Sequence, residues 1–180
     1  MGDGVTAENR TRYSFRPLDE HAAREIVRWA YDPPYDVYNS NPENTQTSVT
    51  YMSDPANGLY GIRTKDGELI AFCSYGGDAQ VPGGDYGADA LDIGLGVRPD
   101  LTGRGMGIRV IEAVLEFGAK KFQPERFRVT IAAFNLRARK AWMRAGFSEE
   151  SSFRRKGDRR EFGVFLKPGG NPVPGGEAGS

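Results

Sequence analysis

The sequence predicts an α/β (α+β) fold, in which a single mixed, mostly antiparallel twisted sheet has helices on both faces. Two strand patterns, 59–64 and 68–75, flank an Asp-Gly turn, which is typical of an antiparallel hairpin. A long amphipathic helix pattern, 108–122, lies between strand patterns at 90–97 and 126–134, and such a unit requires a parallel crossover. A sheet that contains both kinds of connection is mixed.

The other elements follow from local patterns on either side of this centre. Residues 13–16 form a short strand pattern, and Asp19 is placed to cap a helix that reaches about Trp29. The next segment, 31–39, contains two prolines and three tyrosines and is expected to be an irregular loop. Further predicted elements are a short helix at 45–53, a helix at 136–145 with Gly146 in a left-handed cap, and a closing hairpin of 151–156 and 159–166.

The composition fits one domain and argues against several classes of protein. Among 180 residues, 24 are Lys or Arg and 24 are Asp or Glu, so the chain lacks the basic excess of nucleic-acid-binding proteins. No apolar run approaches the roughly 18 residues of a membrane span, and the single cysteine, Cys73, allows no internal disulfide. We therefore expect a cytoplasmic protein without nucleic-acid or membrane partners. Its domain should span 13–167, between flexible segments at 1–12 and 168–180.

Three alternating glycines between a strand pattern and the long helix form the most informative motif. Gly103, Gly105 and Gly107 lie where free backbone N–H groups and the positive end of the helix dipole coincide. Glycine also lets a ligand approach the backbone closely, so the motif favours phosphate binding. Neither the ATP-binding GxxxxGK(S/T) pattern nor the dinucleotide-binding GxGxxG pattern is matched. The alternative that the glycines only permit a tight turn stays open.

Two segments resemble motifs of one enzyme family. Residues 97–107, VRPDLTGRGMG, resemble the Q/R-x-x-G-x-G/A coenzyme loop of the GCN5-related N-acetyltransferase (GNAT) superfamily. Residues 135–147, NLRARKAWMRAGF, resemble its N-x-x-A-x-x-x-Y-x-x-x-G-F segment. With the order of elements, the resemblance covers about residues 13–166. It implies the GNAT fold, acetyl-CoA as co-substrate without a metal, direct attack by a primary amine in a ternary complex, and a possible homodimer.

The resemblance also implies roles for individual residues. The coenzyme's pyrophosphate would be contacted by the turn before the long helix, which consists of Thr102, Gly103, Arg104, Gly105, Met106 and Gly107. The strand that ends at Val97 would splay from its neighbour. Leu95 and Val97 would then pair with the pantetheine arm, and the Val97 N–H would stabilise the oxyanion. Asn135, at the start of the second motif, would meet the pantetheine arm or position a water.

Several positions in and near these motifs need their own interpretation. Thr102 stands where the family pattern has Gln or Arg, which changes the phosphate contacts. Trp142 stands where the family often has a tyrosine that is proposed to protonate the leaving thiolate. An indole cannot do so, and packing against core or coenzyme is its simplest role, so the general acid is unassigned. Gly94 and Gly96 predict a bulge or a close ligand approach in the strand that ends at Val97.

The acceptor side offers a candidate base and candidate walls. Asp92 is the first candidate for the base, because it lies on the strand that would face the thioester, with a solvent-facing polar position as the equal alternative. Candidate walls of the acceptor site, for which ordinary packing is the alternative, are Tyr31, Tyr35, Tyr38 and Tyr75.

The acceptor itself stays open between a small-molecule amine and a peptide or protein N-terminus. Two other functions also stay open at this point. One is a non-catalytic acyl-CoA-binding or sensing module, which Trp142 favours, and the other is nucleotide-phosphate binding without coenzyme A. We expect His21 at the surface, and likewise the basic cluster of Arg154, Arg155, Lys156, Arg159 and Arg160.

Overall fold

The computed structural model describes residues 12–170, which form one seven-stranded sheet with four α-helices. The sheet has the order β1-β2-β3-β4-β5-β7-β6. Its strands are β1 (Tyr13–Pro17), β2 (Leu59–Thr64), β3 (Leu69–Tyr75), β4 (Leu91–Val97), β5 (Arg126–Ala132), β6 (Ser148–Arg154) and β7 (Glu161–Pro168). Every neighbouring pair is antiparallel except β4 and β5, which are parallel. The predicted mixed, mostly antiparallel sheet is therefore confirmed.

The helices are α1 (Glu20–Ile26), α2 (Thr45–Ser53), α3 (Met106–Phe122) and α4 (Leu136–Arg144). Asp19 caps α1 as predicted, because its carboxylate accepts a hydrogen bond from the Ala22 N–H at 2.8 Å. The helix ends three residues before Trp29, since the next backbone bonds, such as Trp29 N–H to Ile26 O, close tighter turns. Helix α4 ends as predicted, with Gly146 in the left-handed region at φ 102°.

The α3 and α4 side of the sheet holds the main core. Ala71, Cys73 and Ile93 are buried there with Val110 and Val114 of α3. The next side chain along β3, Phe72, packs instead with the small cluster that includes Ile26 of α1. Because side chains alternate across a strand, this division shows that helices cover both faces of the sheet.

The predicted boundaries shift by a few residues where a turn intervenes. Strand β5 ends at Ala132 rather than Phe134, because the Asn135 N–H bonds back to the Ala132 carbonyl. The closing hairpin is displaced from its predicted register, with β6 and β7 at Ser148–Arg154 and Glu161–Pro168. Of the predicted flexible segments 1–12 and 168–180, residues 1–11 and 171–180 lie outside the described residues. Within 12–170, no helix has the length and apolar character that crossing a membrane requires.

Candidate active site

The two parallel strands at the centre of the sheet separate along their length. Paired positions between β4 and β5 are Leu91 with Phe127 and Asp92 with Arg128. Beyond Asp92, β4 runs on to Val97 without such a partner on this side. The sheet therefore opens as a wedge toward the carboxyl ends of these strands, where ligands bind in open α/β sheets.

The backbone of β4 presents hydrogen-bonding groups to this wedge. Toward β3, the Asp92 carbonyl accepts from the Gly76 N–H and the Arg98 N–H donates to the Ile70 carbonyl, both at 2.9 Å. Hydrogen-bonding direction alternates along an antiparallel strand, so the N–H and C=O groups of Leu95 and Val97 face the opposite side. An extended ligand in the wedge can pair with this edge as an additional strand would.

The glycine turn lies just beyond the end of β4. The Thr102 hydroxyl donates to the Pro99 carbonyl at 2.7 Å, which fixes the start of the turn. Gly103 and Gly105 have φ of 76° and 74°, a left-handed conformation that favours glycine, and α3 begins directly after Gly105. A Cβ placed on Gly103, Gly105 or Gly107 would meet no atom within 4 Å. The turn is thus an open cradle at the N-terminus of a 17-residue helix.

A single cavity of about 1070 Å³ joins this turn to the aromatic loop that follows α1. The candidate site residues that line it are Tyr31, Tyr35, Tyr38, Leu95, Val97, Thr102, Gly103, Gly105, Gly107, Asn135 and Trp142. Four candidates are not among its lining residues, namely Asp92, Tyr75, Arg104 and Met106. The structure therefore brings most of the two motifs and three of the four tyrosines together in one space.

Asp92 does not have the surroundings of a catalytic base. Its side chain is 5% exposed, and its two carboxylate oxygens accept hydrogen bonds from Arg128 at 2.6 and 2.8 Å. Gln80 donates a further bond to the carboxylate at 2.9 Å. Arg128 also donates to the Ala88 carbonyl and lies 4.9 Å from the ring centre of Tyr86. The hypothesis that Asp92 is the base conflicts with this geometry, since a base needs a free oxygen facing the acceptor.

Tyr75 is likewise a core residue rather than a wall of the acceptor site. It is 6% exposed, and its hydroxyl donates to the Val114 carbonyl of α3 at 2.7 Å. Its ring packs edge-on against Tyr60, with centroids 5.8 Å apart. The sequence position was misleading because Tyr75, like Ala71 and Cys73 on the same strand, faces the core on the α3 side, away from the acceptor side.

The aromatic loop reaches the end of β4 through Tyr31. The Tyr31 hydroxyl donates to the Val97 carbonyl at 2.8 Å. The loop is closed on itself, because the Asn39 side chain bonds both the N–H and the carbonyl of Tyr31. Burial raises the pKa of Tyr31 to about 12, against a smaller opposing effect of Arg137. The phenol is therefore protonated at neutral pH and available as a donor.

The same loop also contacts the start of α4. The Arg137 guanidinium lies 4.2 Å from the ring centre of Tyr35, and Asn135 donates to the Tyr38 hydroxyl at 3.2 Å. The rings of Tyr35 and Tyr38 lie about 6 Å from the ring of Phe134, at 6.1 and 5.9 Å. The loop thus spans from the end of β4 to the N-terminus of α4 and closes one side of the cavity.

Trp142 occupies a packing position. It is 5% exposed and lies edge-on to Phe147, with ring centroids 5.1 Å apart. The same residue lines the cavity on the side of α4. This geometry combines the two packing roles that the sequence suggests for Trp142, the core and the cavity wall.

Sequence analysis missed four residues on the acceptor side. Trp29, Tyr51, Phe72 and Asp78 all line the cavity. Asp78 lies in a short turn, Gly77–Ala79, within a segment that the sequence shows only as a glycine-rich loop. Desolvation, and then a hydrogen bond with the Asp78 carboxylate, raise the pKa of Tyr51. An acidic residue three positions after the end of a strand was the available signal for this site.

Comparison with known proteins identifies the fold class and then the family. Solved structures with the same fold include a chimeric spermidine N-acetyltransferase SpeG from Vibrio cholerae and hSSAT, with 15% identity, a TM-score of 0.67, and 88% of this chain and 96% of that chain covered. An acetyltransferase from Bacillus anthracis, described as GNAT family, has 14% identity, a TM-score of 0.68 and coverage of 88% and 95%. AAC(6′)-Ib in complex with ribostamycin and coenzyme A has 16% identity, a TM-score of 0.68 and coverage of 87% and 93%.

The family assignment comes from the sequence model of the acetyltransferase (GNAT) domain, which matches residues 12–148. The matched segment includes both motifs and the whole aromatic loop. The chain therefore belongs to the GNAT acetyltransferase family. No curated protein sequence matches it significantly.

Proposed function

We propose that the protein transfers an acetyl group from acetyl-CoA to a primary amine, by direct attack of the amine in a ternary complex. The observation that supports this most is the single cavity, which runs from the glycine turn past Val97 to the aromatic loop. Such a cavity can hold donor and acceptor at once, which is the requirement of a direct transfer. Two of the similar structures, AAC(6′)-Ib with coenzyme A and with acetyl-CoA, are consistent with this donor.

The chain's residues fit the donor from end to end. Backbone N–H groups of residues 103–107 would bind the pyrophosphate at the positive end of α3. The backbone N–H and C=O groups of Leu95 would pair with the amides of the pantetheine arm. Acetyl-CoA supplies an activated thioester, and the Val97 N–H would hold the oxyanion that forms when the amine attacks. The Tyr31 hydroxyl holds the peptide group between Val97 and Arg98 in place, because it donates a hydrogen bond to the Val97 carbonyl.

The acceptor would enter from the side of the aromatic loop. Asp78 can attract its ammonium group, and water in the open cavity can take the proton that the amine must lose before it attacks. Water is also the proton source that we propose for the leaving thiolate, because the indole of Trp142 cannot donate as an acid does. The spermidine and aminoglycoside acetyltransferases among the similar structures make a small amine the first choice of acceptor.

The experiment measures acetyl-CoA turnover with a panel of amines, using the release of free thiol as the readout. We expect amine-dependent release together with an acetylated amine of the correct mass. Binding of acetyl-CoA without any release in the presence of amines would instead favour the non-catalytic acyl-CoA-binding module. If ATP competes with acetyl-CoA and binds the protein with equal affinity, the result would favour the alternative function, nucleotide-phosphate binding without coenzyme A.

Location and assembly complete the proposal. We propose that the protein acts in the cytoplasm as a homodimer, without a metal. Light scattering of the purified chain tests the dimer, and turnover that survives a chelator tests the absence of a metal requirement.

A further inference from the structure

We infer that the acceptor, if the proposed function holds, is a monoamine with a flat apolar body rather than a polyamine. Among the described residues, those that line the acceptor side of the cavity include large aromatic side chains and a single acidic one, Asp78. This combination selects for one positive charge that is attached to a hydrophobic group. It does not suit a chain of several ammonium groups.

The wall on the α1 side is apolar and tightly built. Trp29 and Phe72 pack with ring centroids 6.0 Å apart, and Ile26, Met52 and Leu59 line the cavity beside them. Phe72 can lie there because its partner on β4 is Gly96, where a Cβ would come within 2.4 Å of the ring. Aromatic walls of this kind bury a large apolar area with little loss of side-chain freedom.

A second part of the cavity wall consists of tyrosines that are held in place. Tyr31 is fixed by the Val97 carbonyl, Tyr38 by Asn135, and Tyr35 by the guanidinium of Arg137 that stacks on its ring. Both groups of aromatic side chains therefore line the same cavity. A planar apolar group can contact these rings without a rearrangement of the loop.

The charges around the cavity exclude a second ammonium group. Asp78 is the only acidic side chain among the described residues that line the cavity. The basic side chains that line it are Arg137, Lys140 and Arg144, all on α4. A second ammonium would lose water against apolar walls without a counter-charge, which is strongly unfavourable.

The turn that contains Asp78 packs on the same face of β4 as Phe72. This turn packs over Gly94, since a Cβ on Gly94 would lie 3.6 Å from the Cβ of Ala79. Side chains at positions 94 and 96 share one face of the strand, so the turn, Gly94 and Gly96 lie on the same side as Phe72. A monoamine whose ammonium group contacts Asp78 would therefore place its apolar body against Trp29 and Phe72.

The test compares kcat/KM for 2-phenylethylamine, ethylamine, putrescine and spermidine at saturating acetyl-CoA. We expect 2-phenylethylamine to exceed each of the other three by about tenfold or more, because its ring is buried between the walls. Higher kcat/KM for spermidine or putrescine would overturn the inference and leave the proposed function intact. Absence of turnover with every amine, despite acetyl-CoA binding, would overturn the proposed function and the inference with it.

Two variants separate the contributions of charge and wall. Asp78→Asn should lower kcat/KM for 2-phenylethylamine and ethylamine alike by about tenfold, because both use the same ammonium contact. Its control is Asp66→Asn, which removes the same charge from the exposed turn between β2 and β3 and should leave both values unchanged.

The second variant removes part of the apolar wall. Trp29→Ala, or Trp29→Leu if the first does not fold, should lower kcat/KM for 2-phenylethylamine and leave kcat/KM for ethylamine unchanged, so that the ratio of the two values falls. An unchanged ratio in a folded variant that binds acetyl-CoA would overturn the inference.

Discussion

At the scale of single residues, the hydroxyl of Tyr31 is the side-chain group that reaches the end of β4. It donates to the Val97 carbonyl at 2.8 Å and so fixes the peptide next to the proposed oxyanion donor. Tyr31→Phe should therefore lower kcat by about threefold to tenfold, the range of one lost hydrogen bond, with the Kd for acetyl-CoA unchanged. Steady-state kinetics and calorimetry measure the two quantities. A Tyr13→Phe variant, altered at the far edge of the sheet, is the control, and equal kcat values in both variants would contradict the assigned role.

The pKa of Tyr31 gives the sign of a pH effect at the same position. Burial raises this pKa from its ordinary 10.0 to about 12, so the protonated donor is favoured in the folded protein. Its contribution to stability is fully present below pH 10 and is lost as the pH rises from 10 to about 12. Thermal melts from pH 8 to pH 12 should show a smaller alkaline loss of stability for Tyr31→Phe than for the wild type. Equal losses in the two proteins would contradict the burial of the Tyr31 hydroxyl in the folded protein.

Single residues were also the part of the site that the sequence predicted least well. The glycine turn was predictable, because backbone conformation and a helix start are local properties. The surroundings of Asp92 and Tyr75 were not, because they depend on partners 36 and 39 residues away in the chain, Arg128 and Val114. Asp78 was missed for the same reason, since only the folded turn brings it beside Tyr51 and the aromatic walls.

At the scale of elements, the wedge between β4 and β5 depends on the buried ion pair of Asp92 and Arg128. These two residues occupy the last paired position before the strands separate, with side chains 5% and 4% exposed. Asp92→Ala should lower the free energy of unfolding by about 3–5 kcal/mol, because it leaves the Arg128 charge buried without its carboxylate counter-charge. Urea denaturation measures this. Asp100→Ala, which removes an exposed partner of Arg98, is the control and should change the midpoint far less; equal changes would contradict the structural role.

The contact between β3 and β4 sets the shape of the acceptor wall. A Cβ on Gly96 would lie 2.4 Å from Cε1 of Phe72 and 2.7 Å from its Cζ, so Gly96→Ala forces the ring to move. We expect a loss of about 1–3 kcal/mol in the free energy of unfolding, typical of overpacking. The double variant Phe72→Leu/Gly96→Ala should lose less than the two single changes together. Strict additivity in this cycle would show that the ring does not depend on the glycine.

Sequence patterns predicted the elements well and their partners less well. The hairpin of β2 and β3, the long helix α3 and the left-handed cap at Gly146 rest on local signals, and the structure contains all three. Gly94 and Gly96 were expected to mark a bulge or a ligand. The pairing of β3 with β4 is regular there, and these glycines instead make room for Ser74 and Phe72 of the neighbouring strand.

At the scale of the whole molecule, the sheet and its helices form one cavity with two chemically different halves. The half near α3 has open backbone N–H groups and glycines, and the half near α1 has aromatic rings and Asp78. They meet where β4 leaves β5, so that a phosphate-bearing donor and an apolar amine would face each other at Val97. This arrangement connects the GNAT fold to the proposed transfer, and all of it depends on the glycine turn as the binding site of the donor.

Calorimetric titration of acetyl-CoA into wild type, Gly107→Ala and Gly107→Glu tests this dependence most directly. Position 107 lies in the first turn of α3 with no atom within 4 Å of an added Cβ, so both substitutions fit the fold, and Glu at a helix start is favourable to it. We predict that the Ala variant binds acetyl-CoA as the wild type does and that the Glu variant loses binding, because its carboxylate occupies the place of the pyrophosphate. Equal affinity in all three proteins would contradict the account.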